Sequence, residues 1–86
     1  VNTVTITLNG IKDYRRLVEF RNALKGRVRG ISAIYQRKYT DNEVVFEVET
    51  TAAAQDIADD ISRIADYFKV VKTTPDTIYV TADSDR

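Results

Sequence analysis

Three features of the 86-residue sequence predict an α+β domain with the element order β-α-β-β-α-β. Apolar residues alternate with polar ones around Val4-Ile6-Leu8 and Val44-Phe46-Val48, as in half-buried strands. Apolar residues recur every three or four positions in the segments that follow each strand, as in amphipathic helices. The pattern also repeats. Val4, Ile6, Leu8 and Leu17 stand forty positions before Val44, Phe46, Val48 and Ile57. Each half therefore reads as one unit of the split βαβ, ferredoxin-like pattern. Right-handed crossovers place both helices on one face of a four-stranded antiparallel sheet, with expected strand order 4-1-3-2. At this length the chain, residues 1–86, forms one domain with one small core.

The first strand covers residues 3–8, with Val4, Ile6 and Leu8 inward and Thr3, Thr5 and Thr7 outward. Asn9-Gly10 ends it. Asp13 is placed to cap a helix that runs to about Lys25, with Gly26 at its C′ position. Leu17, Phe20 and Leu24 share the buried face of that helix. The second strand spans Ile31–Thr40. Its alternation is blurred, and a bulge near Ser32–Ala33 puts both Ile31 and Ile34 inside. Thr40-Asp41-Asn42 supplies a turn, and the third strand, Glu43–Glu49, closes a hairpin. Thr50 or Thr51 caps the second helix. Ala54, Ile57, Ala58, Ile61, Ile64, Ala65 and Phe68 form its apolar stripe, opposite Asp56, Asp59, Asp60 and Asp66. A short strand near Lys69–Thr73 leads through Thr74-Pro75-Asp76 to the final strand, Thr77–Thr81. Residues 82–86 read as a frayed tail.

The net charge of zero hides a division. Residues 1–40 hold nine basic and two acidic side chains; residues 41–86 hold four basic and eleven acidic ones. Such an asymmetry is a lead about partners or assembly. The chain has no cysteine and no histidine, which removes the disulfide framework, the soft metal ligands and the usual general base. No apolar run is long enough to span a bilayer and no signal-peptide pattern opens the sequence. The missing initiating methionine points to a processed protein or to a domain excised from a longer one.

Chemistry is poorly supported. No Gly-rich phosphate cradle is present, and Ser32, Ser62 and Ser84 have no activating partner in the sequence. Asp56, Asp59 and Asp60 lie on a helix, whose regular geometry cannot wrap a hard cation. No catalytic residue, metal ligand or cofactor is expected. Nucleic-acid readers of this topology stack bases on aromatics of the two central strands. Those positions here are Thr3, Thr5, Thr7, Val45, Glu47 and Glu49, and glutamates repel phosphates. The expected contact surface is instead basic and aromatic: Arg15, Arg16, Arg27 and Arg29, with Tyr35, Arg37 and Tyr39 on one face of strand two. Its partner is a protein or a neighbouring domain, with weak salt-sensitive self-association between a basic and an acidic flank.

The segment LNGIKDYRRLVEFRNALKGRVRGISAIYQRKYTDNEVVFEVET, followed by an alanine-rich amphipathic helix, resembles small domains of bacterial envelope proteins. Gly10-Ile11, Asp13-Tyr14, Gly30-Ile31 and the Val44–Glu49 strand carry the likeness. It is similar to the N-terminal domain of the flagellar assembly protein T group and related uncharacterised lipoproteins. That resemblance implies a non-enzymatic structural or interaction module in the periplasm or cell envelope. The competing expectation is a cytoplasmic regulatory or nucleic-acid-binding domain of the same topology.

Overall fold

The strand with the cleanest alternation, β1 (Asn2–Asn9), becomes the centre of the sheet. In the computed structural model, residues 2–11, 14–28, 30–40, 43–64 and 68–82 are described. After β1 come α1 (Tyr14–Arg27), β2 (Ile31–Tyr39), β3 (Glu43–Thr50), α2 (Ala54–Ser62), β4 (Phe68–Thr73) and β5 (Thr77–Ala82). The sheet has five strands in the order β2-β3-β1-β5-β4. β1 pairs antiparallel with β3, so that Val4, Ile6 and Leu8 face Val48, Phe46 and Val44. It pairs parallel with β5, bringing Ile6 beside Ile78 and Leu8 beside Val80.

This corrects the four-stranded antiparallel arrangement of order 4-1-3-2. The terminal strand does lie beside β1, but it runs the other way. Phe68–Thr73 is an edge strand in its own right, paired antiparallel with β5. Inserting that hairpin reverses the last strand and makes the sheet mixed. Pro75 sits in the tight turn, where its fixed φ suits the first central position. Thr74 closes the turn: its N–H donates to the Thr77 carbonyl at 2.8 Å, and its Oγ1 accepts from Thr77 N–H at 3.0 Å. The α+β class and the two helices stand as expected.

Both helices pack on the sheet face that carries the alternating apolar residues. Leu17, Phe20 and Leu24 of α1 and Ala54, Ile57, Ala58 and Ile61 of α2 are buried against Val4, Ile6, Leu8, Val44, Phe46, Val48, Ile78 and Val80. Phe20 lies between two sheet aromatics, its ring centroid 5.9 Å from Phe46 and 4.9 Å from Phe68. Ile64 packs at the margin. Ile31 and Ile34 also reach the core, across the register shift between Ile31 and Ala33.

The helix ends differ from the sequence reading. α2 stops at Ser62, with Arg63 as its C-cap, and does not continue to Phe68. Phe68 opens β4 and is still buried, which is why it fitted the helical spacing. Neither Thr50 nor Thr51 caps α2. The N-cap is Ala53, without a side-chain hydrogen bond. Thr50 is buried at the end of β3, and its Oγ1 accepts the Ala52 N–H at 2.9 Å. The Asp13 cap, the Asp41-Asn42 turn, Ala65, Asp66 and the tail beyond Ala82 lie outside the described residues. Ala82 itself is buried in β5.

α1 runs through Gly26 to Arg27, so Gly26 is an interior helical residue and not a C′ glycine. The left-handed turns fall at Gly10 (φ 83°) and Gly30 (φ 85°). A Cβ on Gly10 would meet the Ala82 carbonyl oxygen at 2.7 Å. Gly10→Ala is therefore expected to destabilise the domain by about 1–3 kcal/mol in urea unfolding. Gly26 has nothing within 4 Å of the same atom. Gly26→Ala is expected to stabilise by roughly 0.5–1 kcal/mol, because alanine loses less chain entropy in a helix.

Candidate interaction surface

With Leu17, Phe20 and Leu24 committed to the core, the rest of α1 divides into two rims. Tyr14, Val18, Arg21 and Lys25 follow at intervals of four, three and four and form one stripe. That stripe borders β2, because the Tyr14 ring lies 6.4 Å from the ring of Tyr39. The other rim faces α2. Arg27 lines an open groove with Asp60, Arg63 and Ile64. An adjoining groove shares Arg27 and Ile64 and crosses the crest of α1 past Ala23, Glu19, Arg15 and Asn22, with Val18 of the first stripe as its far edge.

The helix layer is divided by charge. The described part of α1 carries Arg15, Arg16, Arg21, Lys25 and Arg27 against Glu19 alone. α2 carries Asp56, Asp59 and Asp60, with Arg63 at its C-cap. Arg16 and Glu19 approach to 3.5 Å, and Arg63 and Asp60 to 3.7 Å. Asp59 accepts a hydrogen bond from Gln55 Nε2 at 3.1 Å. Exposed pairs of this kind contribute about 0–1 kcal/mol each. Arg21, Lys25 and Arg27 make no ion pair among the described residues.

The six candidate contact residues that are described do not form one patch. Arg15, Arg16 and Arg27 lie on α1, and Arg29 is outside the described residues. Tyr35 and Arg37 belong to the open side of the sheet. Arg37 donates from Nε and Nη2 to Glu47 Oε1 at 3.2 and 3.0 Å, with its guanidinium 5.2 Å from the centre of the Tyr35 ring. Tyr39 is not on that face. A register shift between Gln36 and Lys38 turns the strand over, so Tyr35 lies opposite Glu47 while Tyr39 lies opposite buried Val44. Unbroken alternation, which puts all three on one side, misses this second bulge.

The open sheet face can be read row by row from the pairing. One row runs Lys38, Val45, Thr7, Tyr79, Lys72; the next runs Tyr35, Glu47, Thr5, Thr77. Thr7 lies on this outward face, as its alternation with Ile6 and Leu8 predicts, yet it is buried between its neighbours. Tyr79, Lys69 and Lys72 join this face only through the position of β4 and β5 in the sheet, which local alternation does not reveal. Lys38 approaches Glu43 to 3.7 Å on the opposite edge. Both edge strands, β2 and β4, are interrupted by register shifts and carry exposed lysines. Those features discourage pairing with another sheet edge.

No cluster of three or more acidic, histidine or cysteine side chains suited to a metal ion occurs among the described residues. Among them, no helix is long and apolar enough to cross a membrane. Comparison with protein families, with curated proteins and with solved structures finds no match to this chain.

Proposed function

We propose that the chain is a non-enzymatic protein-interaction module whose contact surface is the charged helix layer. The observation that carries this reading is the one-sided α1 surface: five cations stand against a single glutamate, on a helix whose buried stripe is fully used by the core. A surface of one sign steers association and selects against like-charged partners more than it adds raw affinity. Placement in a bacterial envelope protein rests on the sequence resemblance to the flagellar assembly protein T group. A cytoplasmic, nucleic-acid-binding reading is favoured by one feature, Tyr79 beside Lys72 on the open face. Against it stand Glu43, Glu47 and Glu49 two strands away on the same face.

Sedimentation across a salt series tests the interaction reading. The Debye length falls from about 10 Å at 0.1 M salt to about 3 Å at 1 M. The domain is expected to be monomeric at moderate salt, with weak self-association that appears only at high protein concentration and vanishes as salt rises. A tight dimer indifferent to salt contradicts the reading, since it would need an apolar or sheet-edge interface.

A further inference from the structure

The flank where α1 meets β2 brings two exposed tyrosines beside two cations of the helix. Tyr14 is 61% and Tyr39 49% exposed, yet their rings are held against each other at a 50° tilt. Arg21 and Lys25 continue from Tyr14 along the same rim, both exposed. Cations elsewhere on the surface have carboxylates: Arg16 has Glu19, Arg37 has Glu47 and Lys38 has Glu43. We propose that this flank, made by Tyr14, Val18, Arg21, Lys25 and Tyr39, docks an acidic polypeptide segment that presents an aromatic or large apolar side chain. The proposal rests on the reading of the chain as a protein-interaction module and names that partner's chemistry.

Each part of the surface has a role in the contact. The arginine fork offers paired donors that match a carboxylate, and Lys25 adds a second positive centre one turn along. The tilted tyrosine pair and half-buried Val18 offer a place for an anchor side chain, and interface cores favour tyrosine and arginine. The same charges suit a nucleic acid less well. Such partners draw on several phosphate contacts, whereas this rim supplies two cations without an ion pair among the described residues.

The test uses the whole chain and a fluorescein-labelled decapeptide of eight glutamates with two central phenylalanines. Anisotropy at low salt should show saturable binding. Arg21→Glu with Lys25→Glu should weaken it by about tenfold or more. Tyr14→Ala with Tyr39→Ala should weaken binding of the same probe, and should have little effect on a probe whose phenylalanines are replaced by serine. All four positions are exposed, and far-UV circular dichroism checks that the variants remain folded. Absence of saturable binding, or binding unchanged in the Arg21/Lys25 variant, overturns the proposal. Binding that instead disappears in Arg16→Gln/Arg27→Gln moves the contact to the groove beside α2: the module reading then stands and this site falls. A single-stranded oligonucleotide of equal charge that binds more tightly than the peptide overturns both.

Discussion

Phe20→Ala is expected to lower the unfolding free energy by about 3–5 kcal/mol. Phe20 is fully buried and sits between Phe46 of β3 and Phe68 of β4. In the sheet order those strands are separated by β1 and β5, so one side chain on α1 bridges most of the sheet's width. Truncation removes both ring contacts and leaves a cavity that neither sheet residue can fill without moving the other. A chain of this length has a total stability of roughly 4–13 kcal/mol. The loss is therefore a large share of the whole, and the variant should show a much lower urea midpoint. Tyr14→Ala, on the exposed rim of the same helix, should stay within about 0.5 kcal/mol of the parent. A Phe20→Ala variant as stable as the Tyr14→Ala variant would contradict the packing described.

Ile61→Ala is expected to cost about 2–5 kcal/mol. Ile61 has no exposed surface and lies on the last turn of α2. That helix has nine residues and an N-cap without a side-chain hydrogen bond. A helix so short is marginal by itself, and its order comes from burying one face. Removing Ile61 should therefore loosen α2 as well as weaken the core. Amide exchange should accelerate across Ile57–Ser62 more than in β1 or β3. Uniform acceleration across both would mean that α2 and the sheet open only together.

The parts of the fold with strong local patterns could be read from the sequence. β1 and β3 alternate cleanly, and the inward residues predicted for them are buried. The stripe from Ala54 to Ile61 likewise placed α2 on the core. Features that depend on distant pairing could not be read in this way. β4 is six residues long, and a register shift between Val70 and Lys72 breaks its alternation, so its period is weak. Its partner is β5, and only that pairing reveals that the last strand runs parallel to β1. Phe68 satisfies a helical spacing and an inward strand position equally well, so spacing alone extends the helix past its end at Ser62. Gly26 reads as a helix end by residue type, yet the helix passes through it to Arg27, and the positive φ falls instead at Gly30, where a Cβ would press on Ala52 at 3.0 Å. The contact surface was legible as a charge imbalance. Its division into rims was not, because the side of α1 that faces α2 depends on how the helices lie on the sheet.

An amide chemical-shift footprint of the acidic peptide on the labelled chain decides most directly whether the helix layer is the contact surface. The account predicts shifts concentrated on Tyr14, Val18, Arg21, Lys25 and Tyr39, fading as salt is raised, with Thr5, Thr77 and Tyr79 unmoved. Shifts confined to Thr5, Thr7, Thr77 and Tyr79, with α1 silent, would contradict it and make the open sheet face the functional surface.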